Sequence, residues 1–152
     1  MSPNTNSNSG NGNGSSSSTN PGTAMAAAVE DQYAKYRVIQ EEMQQLRNNQ
    51  QMLMQQQNEN DMVKQELDVL DANDQVYKLV GHVLLKNETD DAKQTVEQRL
   101  ELIKNELDKV ETKIRDKEEV MNTIGKKIQE MQSAMQAAAA EAARAIAAQA
   151  QA

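Results

Sequence analysis

Few side chains in this sequence are suited to covalent or coordination chemistry, and they do not converge. There is one histidine, His82, and no cysteine, which excludes disulfides and thiolate metal sites and fits a reducing compartment. The run "DANDQV" (71–76) opens like a calcium-binding loop. Gln75, Val76 and His82 then stand where that loop needs Asp or Asn, Gly and Glu. Gly125-Lys126-Lys127 lacks the preceding glycine and the following Ser or Thr of a phosphate-binding loop. With no convergent nucleophile, base and pocket, no catalytic activity, metal or cofactor is expected. The chemistry that remains is noncovalent. It centres on "YKLVGHVLLKNE" (77–88), the one stretch whose pattern differs from the helical sequence around it.

That stretch reads as a β-hairpin over 76–87. Val76 to Val80 is rich in β-branched and aromatic residues, Val83 to Leu85 mirrors it, and Gly81 supplies the positive φ of a two-residue turn with glycine first. "DANDQ" before it is a helix stop and turn, and "NETDD" after it offers Thr89, Asp90 or Asp91 as a helix N-cap. An isolated two-stranded hairpin is marginal in water. This one exposes Tyr77 and Leu79 on one face and Val76 and Val80 on the other, followed by Val83, Leu84 and Leu85, and it has two unpaired edges. It is therefore expected to be an assembly device. The competing reading, a loop packed on its own stalk, is disfavoured because a narrow two-helix stalk offers little surface to cover it.

Two helices must position the hairpin. After Gly22 there is no proline, so long helices are unobstructed. Val96, Leu100, Ile103, Leu107, Val110, Ile114, Lys117, Met121, Ile124, Ile128, Met131 and Met135 recur at alternating spacings of four and three, with only Lys117 polar. Such a pattern is the seam of a coiled coil. The first half carries a softer seam: Val29, Tyr36, Met43, Gln50 and Gln57 on one position, and Gln32, Ile39, Leu46, Leu53 and Asn60 on the other. The phase is then expected to slip, continuing through Val63, Leu67 and Leu70. Folding at Gly81-His82 sets Val29 against Ala134/Met135 and Leu67 against Val96. The expected fold is mainly α, an antiparallel intrachain two-helix coiled coil with a single β-hairpin at the closed end. Helices are expected over 25–71 and 90–140, with arms of roughly 65 Å if about 45 residues are helical. An Ala-rich C-terminal end follows, completing a structured region from 25 to 152.

Composition agrees with this organisation. Three tyrosines are the only aromatics, the net charge is −7, and 26% of residues are charged. This balance argues against a nucleic-acid surface, which needs a basic stripe. A zipper-type DNA-binding protein would also need a dense basic region, and residues 25–60 offer only Lys35, Arg37 and Arg47. No run of 18 apolar residues occurs, so no membrane span is expected. Residues 1–24 are mostly Asn, Ser, Gly and Thr. They bury too little to offset ordering entropy and are expected to form a disordered tail without a signal peptide.

The run "ENDMVKQELDVLDANDQVYKLVGHVLLKNETDDAKQTVEQRLELI" (59–103), set between two heptad helices, resembles β-type subunits of the prefoldin family. His82 stands where that family often has proline. The resemblance implies a cytoplasmic heterohexamer of two α-type and four β-type subunits, with a β-barrel platform and six coiled-coil tentacles. It implies an ATP-independent co-chaperone that holds unfolded or nascent chains such as actin and tubulin and passes them to the cytosolic chaperonin. Carried onto this sequence, assembly falls to Val76, Tyr77, Leu79, Val80, Gly81, Val83, Leu84 and Leu85. Client contact falls to the open tips, at Met25, Val29, Tyr33 and Tyr36 on one helix and Ile128, Met131 and Met135 on the other. Frayed seam ends expose apolar surface, and flexible Met suits promiscuous contacts. The alternatives are that these tip residues only pair with each other, or that the chain is a coiled-coil scaffold or tether without clients.

Overall fold

The computed structural model describes residues 20–152; the expected tail over 1–24 lies outside them except for its last five residues. The elements are α1 (Pro21–Asp68), β1 (Val76–Val80), β2 (Val83–Asn87) and α2 (Thr89–Ala150). The two helices pack antiparallel, and the hairpin closes one end.

Helix α1 begins earlier than the composition of the tail suggested. The Asn20 side chain accepts from the Gly22 backbone N–H at 3.1 Å, and Pro21 occupies the first turn. Proline suits that position because its φ is preset and its missing N–H would have had no helical partner. The helix stops at Asp68, three residues short of expectation. Beyond it, the Asp71 backbone N–H donates to Asp74 Oδ2 at 2.7 Å, and Asp74 N–H returns to the Asp71 carbonyl at 3.0 Å. Helix α2 is capped by neither Thr89 nor the aspartates. Glu88, still extended as it leaves β2, is the N-cap residue and makes no side-chain cap bond. Only one residue separates strand from helix, so the helix starts before a later cap is reached. Asp90 and Asp91 lie in its first turn, where their charge opposes the positive end of the helix dipole.

Every residue of the expected α2 seam is buried or half-buried, from Val96 to Met135. Val110 is the most enclosed at 3% exposure. On α1 the seam runs Met25, Val29, Gln32, Tyr36, Ile39, Met43, Leu46, Gln50, Leu53, Gln57, Asn60, Lys64 and Leu67, again alternating four and three. The phase slip at Val63 does not occur. Val63 is exposed and Lys64 takes the seam position, half-buried, with its ammonium 3.7 Å from Glu97. A lysine can do this because its aliphatic stem covers apolar surface while its head stays in water. Lys117 behaves alike on α2: it is half-buried and pairs with Glu42 across the helices. Arg47–Glu118 at 3.4 Å and Lys93–Asp68 at 3.8 Å complete a set of cross-helix pairs. Each contributes under about 1 kcal/mol at such exposure, so their role is to hold register more than to hold the helices together.

At the closed end, Leu67, Ala92 and Val96 form a buried cluster, against which Leu70, Val76 and Leu100 pack. The first residue of β1 is thereby rooted in the stalk, which fixes where the hairpin stands.

Candidate assembly and client-binding surfaces

The hairpin pairs Val76 with Asn87, Tyr77 with Lys86, Lys78 with Leu85, Leu79 with Leu84 and Val80 with Val83. Cross-strand partners share a face and neighbours along a strand alternate. One face therefore carries Tyr77, Leu79, Leu84 and Lys86. The other carries Val76, Lys78, Val80, Val83, Leu85 and Asn87. Gly81 has φ +62°, the left-handed conformation its turn position requires, and His82 beside it does not share the positive φ. Tyr77 Oη donates to Gln75 Oε1 at 2.7 Å, which steers the ring toward the root of the strand.

Apart from Val76 at the root, the large apolar side chains of this hairpin stand in water. Leu79 is 66% exposed and Leu84 65%, and Tyr77, Val80, Val83 and Leu85 are exposed as well. The two-strand sheet has no third strand among the described residues, so both outer edges present free backbone donors and acceptors. Apolar surface on two faces with two open edges is what a strand pair presents when other chains complete it. Beneath it, a notch lined by Val63, Tyr77, Leu79, Thr95 and Arg99 joins hairpin to stalk.

Toward the open end the expected tip residues lie on both helices and differ in exposure. Met25, Val29, Tyr36, Met131 and Met135 are half-buried along the seam, Ile128 is buried, and Tyr33 is 38% exposed. Tyr33 Oη accepts a hydrogen bond from Gln132 Nε2 at 2.9 Å, a cross-helix clasp near the end of the arm. Helix α2 continues to Ala150, ten residues beyond its expected end, with residues 136–150 exposed throughout and Ile146 standing out of them.

A reading confined to seam positions misses one flank of the arm. Val38 and Val120, both exposed, line a single depression with Ala34, Ile39 and Ile124. Exposed Leu102 lies beside Asn60 and Ile103 further along, and exposed Met52 shares the same heptad flank. These residues occupy the third and seventh heptad positions, next to the seam, so a helical wheel would have found them. The opposite flank is mostly charged or amide, with Tyr33 and Met54 as its large apolar members.

Comparison with known proteins agrees with this geometry. A protein-family model described as prefoldin subunit matches residues 30–134. The probable prefoldin subunit 6 of Caenorhabditis elegans is 33% identical over 119 residues, covering 78% of this chain and 94% of that protein. Prefoldin subunit 6 of Homo sapiens is 34% identical over 115 residues, covering 73% and 89%. The crystal structure of the prefoldin beta subunit from Thermococcus strain KS-1 superposes with a TM-score of 0.65 at 20% identity, over 68% of this chain and 90% of that one. At that identity the likeness concerns the fold, and the fold is the one described above. The chain belongs to the prefoldin subunit family.

Proposed function

We propose that this chain is a non-catalytic subunit of a hexameric prefoldin co-chaperone. It joins two α-type and other β-type subunits through its hairpin and works in the cytoplasm without ATP. It holds unfolded or nascent proteins such as actin and tubulin at the arm tips and delivers them to the cytosolic chaperonin. The observation that carries this reading is the two-faced apolar hairpin held clear of its own stalk. A coiled-coil tether would share the heptads and have no use for such a surface.

In this reading the tips act as a set, with the Met and Tyr side chains of the last heptads supplying adaptable apolar contacts. The test is a complex reassembled with Tyr33→Ser, Met131→Ser and Met135→Ser in this chain, assayed for suppression of aggregation of a chemically denatured protein. About tenfold more complex is expected for equal protection, since truncating three partly buried apolar groups removes on the order of 1–2 kcal/mol of client contact. Native mass must be unchanged. Full protection by an intact variant complex would mean that these residues only pair with each other.

A further inference from the structure

Charge is layered at the closed end, and the layering bears on which chain the hairpin accepts. Residues 76–87 contain Lys78, Lys86 and His82 and no acid. Lys78 stands at the centre of β1 and Lys86 near the end of β2, one on each face of the sheet. Directly beneath, Asp68, Asp71, Asp74, Glu88, Asp90 and Asp91 form an acidic collar, with Lys93 tied to Asp68. Lys78 also shares the notch at the hairpin root with Arg99. Among the described residues, the ion pairs formed by neighbouring groups leave Lys78, Lys86 and Arg99 without a carboxylate partner.

Taking the non-identical neighbour of the proposed assembly as the starting point, we infer that its facing strands present carboxylates beside Lys78 and Lys86, and that charge turns away a second copy of this chain. Two copies meeting edge to edge about a two-fold axis centred on β1 would set Lys78 against its own counterpart. Two copies standing side by side with arms parallel would set collar against collar and gather lysines on both sheet faces with no acid within the strands to offset them. Like charges opposed across a strand pair weaken it, and opposite charges strengthen it. The fitting partner has acidic strands, and a carboxylate entering the notch would meet both Lys78 and Arg99 over an apolar floor.

This inference rests on the hairpin being the assembly surface, and the experiment separates the two. The full chain, a Lys78→Glu/Lys86→Glu variant and their equimolar mixture are compared by sedimentation velocity at low and at high salt. The mixture is expected to associate about tenfold more tightly than either chain alone at low salt, and the difference should shrink at high salt as screening removes it. Equal association of all three samples at low salt would overturn the charge rule. Leu79→Ser/Leu84→Ser introduced into both chains then tells which claim has failed. If it abolishes association while charge reversal has no effect, the hairpin remains the interface and only the charge rule is lost. If association persists in its presence, the hairpin is not the interface.

Discussion

Replacing Leu79 and Leu84 together by Asp is expected to expel this chain from its assembly while leaving the chain itself folded. The two side chains are direct cross-strand partners on one face of the hairpin. Both are about two-thirds exposed in the single chain, at 66% and 65%, so their removal takes little from the stalk, although Leu79 lines the notch at its top. In a completed sheet they would be buried, each contributing about 1.5–3 kcal/mol. Two carboxylates in their place would add a desolvation cost of several kcal/mol more. A combined loss above about 6 kcal/mol corresponds to more than 10,000-fold in affinity. Native mass spectrometry of complexes reassembled with the variant should show it only as free chain. Its far-ultraviolet circular dichroism and thermal midpoint should match wild type, because exposed substitutions of this kind change stability by about 0.5 kcal/mol or less.

The opposite pattern is expected for Val110→Asp. Val110 is the most buried residue of the arm, 3% exposed, near the middle of the α2 seam. The heptad register sets it across from Leu53, on the softer seam of α1, flanked there by Gln50 and Gln57. A carboxylate at that site loses the valine's packing and must either stay desolvated or splay the helices to reach water. We expect about 3 kcal/mol of destabilisation and a thermal midpoint lower by roughly 10 °C. Entry into the assembly should survive well below that midpoint. Val96, at the root of the hairpin, is 14 residues away along α2, about 21 Å of helix. Melting curves of the variant chain and its recovery in reassembled complexes measure both. A variant that melts like wild type would mean that the helices do not depend on their mutual seam.

The two variants probe the parts of the molecule that were most legible in its sequence. The α2 seam could be read residue by residue because nearly every position is apolar and the four-three alternation is unbroken. The hairpin bounds were legible because β-branched residues flank a glycine whose φ has to be positive. Where the structure departs from these expectations the physical cause is shared: position along the helix outweighs residue type. Val63 drew the expected seam off its register because it is apolar and Lys64 is not, yet the lysine stem packs on the seam and Val63 faces the notch. The Asn/Ser/Gly character of the tail concealed an N-cap and a first-turn proline at Asn20-Pro21. The alanine run at the other end has high helix propensity, which favours a longer helix, but no seam partner, so the heptad pattern could not fix where the helix stops; it continues to Ala150. The tips are a different case. A seam residue that pairs and one that frays to meet a client are the same amino acid at the same spacing, and only a functional assay separates them.

Lys64 and Lys117 show what the polar seam positions do. Each is placed where a leucine would give a more stable coil, and each reaches a glutamate, Lys64 that of the opposite helix at Glu97 and Lys117 that at Glu42. Such positions cost stability and fix alignment. In a chain whose arm must stay antiparallel and in register to present its hairpin, alignment is the property that matters.

The most direct test of the account is the native mass and subunit composition of the complex purified through this chain from its own cells. A six-chain heteromer, with this chain among subunits bearing one and two hairpins, is the predicted result. A monomer, a homodimer or a pair with a single partner would contradict it, and the chain would then be a tether whose exposed hairpin has some other use.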